Sequence, residues 1–248
     1  MFKKTLLTLA LAISCSSPSF AKDVTIPTAR GDVTFTQTPT KLAVFEAAAI
    51  DTLAHLGVPV AGSPDVARTL PYLKPATEKA VNIGTVFEPN YEALNSLKPD
   101  LIIVGSRAAK KVDELKEIAT TIDVTTPKEV NTLQGGLNNI ENYGKLFNKE
   151  AEAAKLKAEL ETLIAETKEA VKGKGNGLIV LVNGGKMSAF GPVGRLGWVH
   201  SALNIPEAKF EVNTKGANHG TPISFEYLQK VNPDWLFVLD RTAAIGEE

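Results

Sequence analysis

Short apolar runs alternate along the chain with segments in which apolar residues recur at helical spacing. The run Leu101–Val104 is continuous, which is typical of a parallel strand buried on both faces. Strands that alternate with helices predict an α/β fold with a mostly parallel sheet. In this region the predicted strands are Lys41–Phe45, Val58–Ala61, Leu101–Val104 and Ile122–Thr125, and the predicted helices are Ala47–Leu56, Tyr91–Leu97 and Ala108–Thr120.

Two segments depart from this alternation. Val24–Phe35 alternates in polarity around the turn Ala29–Asp32, which predicts a β-hairpin. Between about Leu137 and Lys172 the composition shifts to Ala, Glu, Lys and Leu, with apolar residues on one face and Glu/Lys pairs on the other. This region predicts a single long helix, for which Gly144 is the candidate interruption.

One motif occurs twice, at Tyr91–Arg107 and, 134 residues later, at Phe225–Arg241. In each copy a helical segment leads to Pro-Asp, an apolar run follows, and an arginine ends the motif. The matched pairs include Tyr91/Phe225, Glu92/Glu226, Leu94/Leu228, Pro99/Pro233, Asp100/Asp234 and Arg107/Arg241. The alternative is that helix, Pro-Asp and strand merely form a common α/β unit.

The repeat predicts two similar α/β lobes, residues 22–136 and 174–248, joined by a connecting helix over residues 137–173. After Arg107 the pattern continues through another helix and strand. After Arg241 only seven residues follow. We therefore expect the C-terminal lobe to be incomplete, short by at least one helix and one strand.

The first 21 residues have the pattern of a secretory signal peptide. Lys3 and Lys4 precede the apolar run Leu6–Ile13, and the small residues of Ser19–Ala21 form a cleavage site. The apolar run is too short to span a bilayer. We expect export to the periplasm after cleavage behind Ala21. The alternative is a lipoprotein signal, in which Cys15 carries the lipid.

Charge and motif content narrow the function classes. The 27 Lys and Arg residues include the two leader lysines, so 25 remain in the exported chain against 28 Asp and Glu. This balance argues against nucleic acid as a partner. The sequence has no Gly-x-Ser-x-Gly, no His-Glu-x-x-His and no Gly-x-x-x-x-Gly-Lys, and its one cysteine precedes the cleavage site. These absences argue against an enzyme.

Arginines are the candidate ligand-binding residues. Arg107 and Arg241 each follow a predicted buried strand, and ligands of open parallel sheets bind outside those strand ends. Arg195, in the glycine-rich loop Gly191–Gly197, is expected to join them in a cleft between the lobes. Guanidinium groups in one cleft predict an anionic ligand with paired oxygens. Lys110 is either a fourth cation or a solvated helix residue.

The three histidines differ in context. His55 and His200 fall in predicted helices, and we interpret both as structural. His219 lies in the polar loop Lys215–Thr221, where it is either simply exposed or free to reach a cleft or a metal.

These residues resemble the periplasmic binding proteins of iron–siderophore ABC importers. The resemblance rests on the signal peptide, the long mid-chain helix and the motifs Leu42–Phe45, Leu56–Pro59, Phe87–Asn90 and Leu97–Ile103. The motifs Asn218–Gly220, Ser224–Glu226, Asn232–Asp234 and Asp240–Arg241 are similar to those of the catecholate, enterobactin-type subgroup.

The resemblance implies two α/β lobes joined by one helix, with a shallow cleft and no permanently bound cofactor. It implies that Arg107, Arg195 and Arg241 hold a ferric complex, and that His219 coordinates its iron. A partner tyrosine is expected beyond Glu248. Fe(III) with three catecholates has a charge of −3, which suits three arginines, and Fe(III) prefers oxygen ligands from the siderophore.

The sequence hypothesis is a monomeric periplasmic receptor. It captures a ferric catecholate siderophore and delivers it to an inner-membrane ABC permease with its ATPase. One alternative is a receptor for another iron chelate, haem or cobalamin, although a neutral corrinoid or hydroxamate would not need three arginines. The other is an exported metal-dependent enzyme, for which His219 is the one credible metal ligand.

Overall fold

The computed structural model describes residues 23–127, 130–193, 196–208 and 220–244. The expected signal peptide, Arg195 and His219 lie outside these residues. The described part contains a two-stranded hairpin, a five-stranded sheet and a four-stranded sheet. No helix within it is long and apolar enough to cross a membrane.

The first lobe is a parallel sheet behind a hairpin. The hairpin was predicted, and its strands β1 (Val24–Thr28) and β2 (Gly31–Phe35) pair antiparallel. The sheet is parallel throughout and has the order β5-β4-β3-β6-β7. Its strands are β3 Leu42–Val44, β4 Gly62–Ser63, β5 Val81–Asn82, β6 Leu101–Val104 and β7 Thr120–Asp123. The strand predicted at Val58–Ala61 was misplaced: β4 is Gly62–Ser63, and the backbone pairing with β3 begins at the Ala61 N–H, which donates to the Leu42 carbonyl oxygen (2.9 Å).

Helices cover both faces of this sheet. They are α1 Ala47–His55, α2 Asp65–Thr69, α3 Lys74–Thr77, α4 Tyr91–Leu97 and α5 Val112–Lys116, with a 3₁₀ turn at Ala108–Lys111 before α5. The predicted helix Ala108–Thr120 is therefore shorter and divided. Apolar residues of β3 and β6 alternate between two cores, one under α1 and the hairpin and the other under α4 and α5.

The predicted single connecting helix is two helices, α6 (Thr132–Leu146) and α7 (Glu150–Val171). Asn148 interrupts them with a left-handed φ of 55°, so the break lies beyond Gly144. Gly144 has another role, because a Cβ there would lie 2.6 Å from Cβ of Ala153 on α7. The glycine thus permits close packing of the two helices. Helix α6 packs on the first lobe, and α7 contacts both α6 and the second lobe.

The second lobe has a smaller, mixed sheet. Its strands are β8 Gly177–Asn183, β9 Lys186–Phe190, β10 Thr221–Ile223 and β11 Trp235–Asp240, and its helices are α8 Trp198–Leu203, α9 Phe225–Val231 and α10 Arg241–Ala244. The order is β10-β9-β8-β11. Strands β8 and β11 are parallel, whereas β9 and β10 run antiparallel to their neighbours.

The repeated motif folds in the same way in both lobes. Helices α4 and α9 begin at a polar cap, because Asn90 accepts from the Ala93 N–H and Ser224 from the Tyr227 N–H. Both helices end at a residue in the left-handed conformation, with φ of 50° at Lys98 and 45° at Asn232. A parallel strand follows each.

The aspartates of the repeat are structural. Oδ2 of Asp100 accepts hydrogen bonds from the backbone N–H of Thr40 (2.9 Å), its hydroxyl (2.8 Å) and the N–H of Lys41 (2.8 Å), just before β3. Oδ2 of Asp234 accepts one from the Asn176 N–H (2.8 Å), just before β8. Each aspartate therefore ties its own strand to the start of the neighbouring parallel strand.

The two strands of the repeat differ in burial. The residues of β6 are fully buried, but Trp235, Leu236, Val238 and Leu239 of β11 are 41–56% exposed. The expectation that β11 is buried was wrong for the described residues. Strand β6 lies between β3 and β7, whereas β11 pairs with β8 alone among the described strands. A strand with one described neighbour keeps much of its surface open to solvent.

Candidate functional site

A cavity of about 460 Å³ lies between the carboxyl ends of the two sheets. Both arginines of the repeat line it, Arg107 from the first lobe and Arg241 from the second. The sequence predicted this arrangement, because each arginine follows a parallel strand. Other lining residues are Phe45, Glu46, Asp65, Val66, Leu70, Phe87, Gly105, Leu181 and Leu239.

The loop after β6 positions Arg107. The Ser106 N–H donates to the Thr125 hydroxyl (2.8 Å), and Ser106 has a φ of 46°. This contact links the loop to the residues after β7. The exposed guanidinium of Arg107 lies 5.9 Å from the ring centre of Phe87, a cation–π distance. Arg107 therefore stands at the cavity with its charge accessible and one face against an aromatic ring.

Arg241 follows β11 directly and begins α10. Its Nη1 donates a 2.6 Å hydrogen bond to Oδ1 of Asn183, the last residue of β8. The next residue holds the same two strand ends together, because the Gly184 N–H donates to the Thr242 hydroxyl (2.9 Å). An amide oxygen orients the guanidinium without cancelling its charge, so Arg241 remains available to an anion.

Glu46 is a cavity residue that the sequence analysis did not single out. It follows β3 and precedes α1, so it lies at the same sheet edge as Arg107. Burial raises the pKa of its carboxyl group, and the negative charge of Asp123 raises it further. A hydrogen bond from the Ala48 N–H and the positive charge of Arg107 partly offset this increase. A side chain at Gly105 would place its Cβ 2.6 Å from Oε2 of Glu46, so the carboxyl group packs directly against that glycine.

A second, smaller cavity of about 200 Å³ also borders Glu46. Hydroxyl and amide groups line much of it, among them those of Thr52, Ser106, Thr125, Asn139 and Tyr143. The Tyr143 side chain is 1% exposed, and its hydroxyl has no hydrogen-bond partner among the described residues. Burial raises the pKa of Tyr143, and the neighbouring charge of Glu46 adds to the effect.

Four charged side chains thus line the main cavity among the described residues: Arg107, Arg241, Glu46 and Asp65. With both acids ionised their charges cancel. Asp65 is exposed, whereas Glu46 is partly buried. Oδ1 of Asp65 accepts a hydrogen bond from the Val66 N–H (2.7 Å).

Lys110 lies in the 3₁₀ turn after Arg107, is exposed, and is not among the residues that line the cavity. Of the two described histidines, His200 is buried and its Nδ1 lies 3.0 Å from the carbonyl oxygen of Ile205. His55 is exposed on α1, with Nδ1 2.9 Å from the Asp51 carbonyl oxygen. Both serve the local structure. Within the described residues, no cluster of three or more His, Cys, Asp and Glu side chains could hold a metal ion.

Glu46 carried a weak signal in the sequence. It directly follows the apolar run Leu42–Phe45 at the carboxyl end of a predicted strand, the same position that singled out the arginines. The repeat did not point to Glu46, because the motif that occurs twice begins only at Tyr91. Phe87 belongs to the motif Phe87–Asn90, and its proximity to Arg107 depends on the fold.

Comparisons with known proteins identify the family of the chain. The sequence model of the family described as Periplasmic binding protein matches residues 42–248. The petrobactin-binding protein YclQ of Bacillus subtilis is 39% identical over 216 residues, which cover 84% of this chain and 66% of that protein. The chain therefore spans about two thirds of the length of this relative.

Solved structures match the fold over most of the described chain. The iron uptake ABC transporter substrate-binding protein PiuA of Streptococcus pneumoniae superposes with a TM-score of 0.85 at 33% identity, over 93% of this chain and 81% of that one. The periplasmic catecholate-siderophore binding protein VctP of Vibrio cholerae gives 0.83 at 28% identity, over 92% and 81%.

Proposed function

The chain belongs to the periplasmic binding protein family, and on that basis we propose that it captures a ferric catecholate siderophore for an ABC importer. The observation that carries the proposal is the convergence of Arg107 and Arg241 on one cavity from two lobes. A ligand held there contacts both halves of the protein, as a transported solute must.

The two arginines of the cavity favour an anionic ligand. Two guanidinium groups in a partly desolvated site repel each other until an anion lies between them. Each charge-assisted hydrogen bond to such an anion contributes roughly 1.5–3 kcal/mol. The planar fork of arginine matches the paired oxygens of a catecholate better than a lysine ammonium does.

The walls of the cavity favour aryl groups. Phe87 is 60% exposed at the cavity, and Val66 and Leu239, which are 40% and 41% exposed, supply further apolar surface. Catechol rings present apolar faces and charged oxygen edges, so they match a site in which arginines stand among aromatic and aliphatic side chains. A small, fully hydrated oxyanion would gain little from contact with these apolar side chains.

The similar proteins support the ligand class. One is named as a binder of petrobactin, and another structure is that of a catecholate-siderophore binding protein. By analogy, Arg195 joins Arg107 and Arg241, Lys110 adds a peripheral positive charge, and His219 supplies an iron ligand. Fe(III) is then part of the cargo, and the protein carries no permanent cofactor.

The proposal includes the cellular context. Members of this family are substrate-binding proteins, and we place the chain outside the cytoplasm as a monomer. It presents its ferric cargo to a membrane permease with an ATPase. It performs no covalent chemistry on that cargo. Residues 22–136 and 174–248 then act as two binding lobes joined by α6 and α7, which span the connector at 137–173.

Titration of tryptophan fluorescence tests the proposal. Ferric enterobactin, a ferric trihydroxamate and haem are added separately to the purified chain, whose tryptophans are Trp198 and Trp235. We expect saturable quenching by the ferric catecholate and at least tenfold weaker binding of the neutral trihydroxamate. Tight binding of the trihydroxamate or haem without binding of the catecholate would contradict the assigned ligand class.

A further inference from the structure

The cavity places an acid where an anion is expected to bind. Glu46 lines the same cavity as Arg107 and Arg241, and its carboxyl group packs against Gly105, two residues before Arg107. An ionised carboxylate at this place repels an anionic ligand and neutralises part of the positive charge that attracts it. The protonation state of Glu46 therefore affects how strongly the cavity holds an anion.

The groups around Glu46 come from three elements. The guanidinium of Arg107 follows β6, the carboxylate of Asp123 ends β7, and the hydroxyl of Tyr143 is on α6. Of these, only Arg107 favours the ionised form of Glu46. Elsewhere in the cavity lining, Arg241 and Asp65 add one charge of each sign.

A bound anionic complex changes this balance in one direction. It excludes water from the cavity, which disfavours the charged form of a carboxyl group. It brings its own negative charge close to Glu46, and it engages Arg107, the positively charged neighbour that stabilises the carboxylate alongside the Ala48 N–H. All three effects favour protonation of Glu46.

We propose that Glu46 takes up a proton when the anionic ferric complex enters the cavity, so that affinity for the complex increases as pH falls. This inference rests on the proposed function. Protonation raises the net charge of the described cavity residues from zero to +1. It also turns Glu46 into a hydrogen-bond donor toward the oxygens of the ligand.

The second cavity gives the proton a route. It borders Glu46 without Arg107 in its lining, and its hydroxyl and amide groups suit ordered water. The buried Tyr143 hydroxyl belongs to this lining and has no other partner among the described residues. The carboxyl group can thus exchange protons with solvent while the ligand occupies the main cavity.

The direction of the pH effect follows from linkage. The pKa of Glu46 is already above its ordinary value in the free protein, and the bound anion raises it further. Binding therefore takes up a proton at pH values between the free and the bound pKa. In that window the association constant rises by up to about tenfold per pH unit as pH falls, and outside it the dependence vanishes.

Calorimetry tests the proposal directly. Ferric enterobactin is titrated into the wild type, Glu46→Gln and Asp65→Asn in pairs of buffers with different ionisation enthalpies, between about pH 5.5 and pH 8.5. The buffer pairs give the number of protons taken up on binding. Asp65→Asn is the matched control, because it removes an exposed carboxylate from the same cavity.

We expect the wild type and Asp65→Asn to take up the same fraction of a proton on binding. In Glu46→Gln the proton uptake should be lower by the contribution of Glu46. Glu46→Gln should bind more tightly than the wild type at the upper end of the pH range and equally at the lower end. Equal proton uptake by the wild type and Glu46→Gln would overturn the role of Glu46 while leaving the proposed function intact. Absence of binding to the wild type would overturn the proposed function, and with it this inference. If Glu46→Gln does not fold, zero proton uptake by the wild type alone overturns the inference.

Discussion

Nη1 of Arg241 donates a 2.6 Å hydrogen bond to Oδ1 of Asn183, joining the carboxyl ends of β11 and β8. Both side chains are exposed, so the bond serves the orientation of the guanidinium more than the stability of the lobe. A cation held in place before the ligand arrives loses less conformational entropy on binding.

Asn183→Ala should therefore weaken binding of ferric enterobactin about threefold to tenfold, equivalent to about 0.7–1.4 kcal/mol, through loss of this orientation. Fluorescence titration measures the affinity. Thermal unfolding should change by no more than about 2 °C, because the bond is solvent-exposed. An unchanged affinity would show that Asn183 does not position Arg241.

The two cavity arginines should contribute far more than their exposed neighbour. Arg107→Ala and Arg241→Ala are each expected to reduce affinity for the ferric catecholate by about tenfold or more, because each removes a charge-assisted hydrogen bond. Lys110→Ala is the matched control, since Lys110 is a cation outside the cavity lining, and it should change affinity less than about twofold. Equal effects at all three positions would indicate only long-range attraction.

The aspartates of the repeat should contribute unequally to stability. Asp100→Asn should lower the free energy of unfolding by about 1–2 kcal/mol, because Asp100 accepts three hydrogen bonds from Thr40 and Lys41. Asp234→Asn should cost about 0.5–1 kcal/mol, since Asp234 accepts its bond from the Asn176 N–H. Urea unfolding at neutral pH measures the free energy of unfolding of both variants. A larger loss for Asp234→Asn than for Asp100→Asn would contradict this ranking.

The Asp100 contribution should also depend on pH. Hydrogen bonds from the Thr40 N–H, the Thr40 hydroxyl and the Lys41 N–H hold the pKa of Asp100 below its usual range. Its stabilising effect is therefore complete above the unfolded-state pKa of about 3.9 and is lost as pH falls through the lower folded value. The difference in unfolding free energy between the wild type and Asp100→Asn should shrink below about pH 4.

The left-handed C-caps provide a matched pair for stabilisation. Lys98→Gly should raise the free energy of unfolding by about 0.5–1 kcal/mol, because a lysine at φ 50° is strained and glycine is not. Asn232→Gly at φ 45° should gain less, since asparagine tolerates this conformation. Urea unfolding curves of the two variants test the ranking, and a larger gain at Asn232 would contradict it.

The periodic features of the sequence were readable because they depend on local spacing. The hairpin at Val24–Phe35, the helix Tyr91–Leu97 and the strand Leu101–Val104 all lie within or close to their predicted bounds. The repeat likewise placed Arg107 and Arg241 at strand ends. The single connecting helix was not predictable in detail, because its break at Asn148 accompanies the packing of α7 back on α6.

By itself the sequence determined the alternation of strands and helices, the duplicated motif and the two arginines that end it, since each depends on residues within about one structural unit. Only the tertiary structure decided which of the described strands have two neighbours and which have one, and hence why β6 is buried while β11 is exposed among these residues. It also decided that Glu46, Gly105 and Arg107 meet at one cavity. Glu46 is about sixty residues from the other two in the sequence, and only the parallel pairing of β3 with β6 brings their strand ends together.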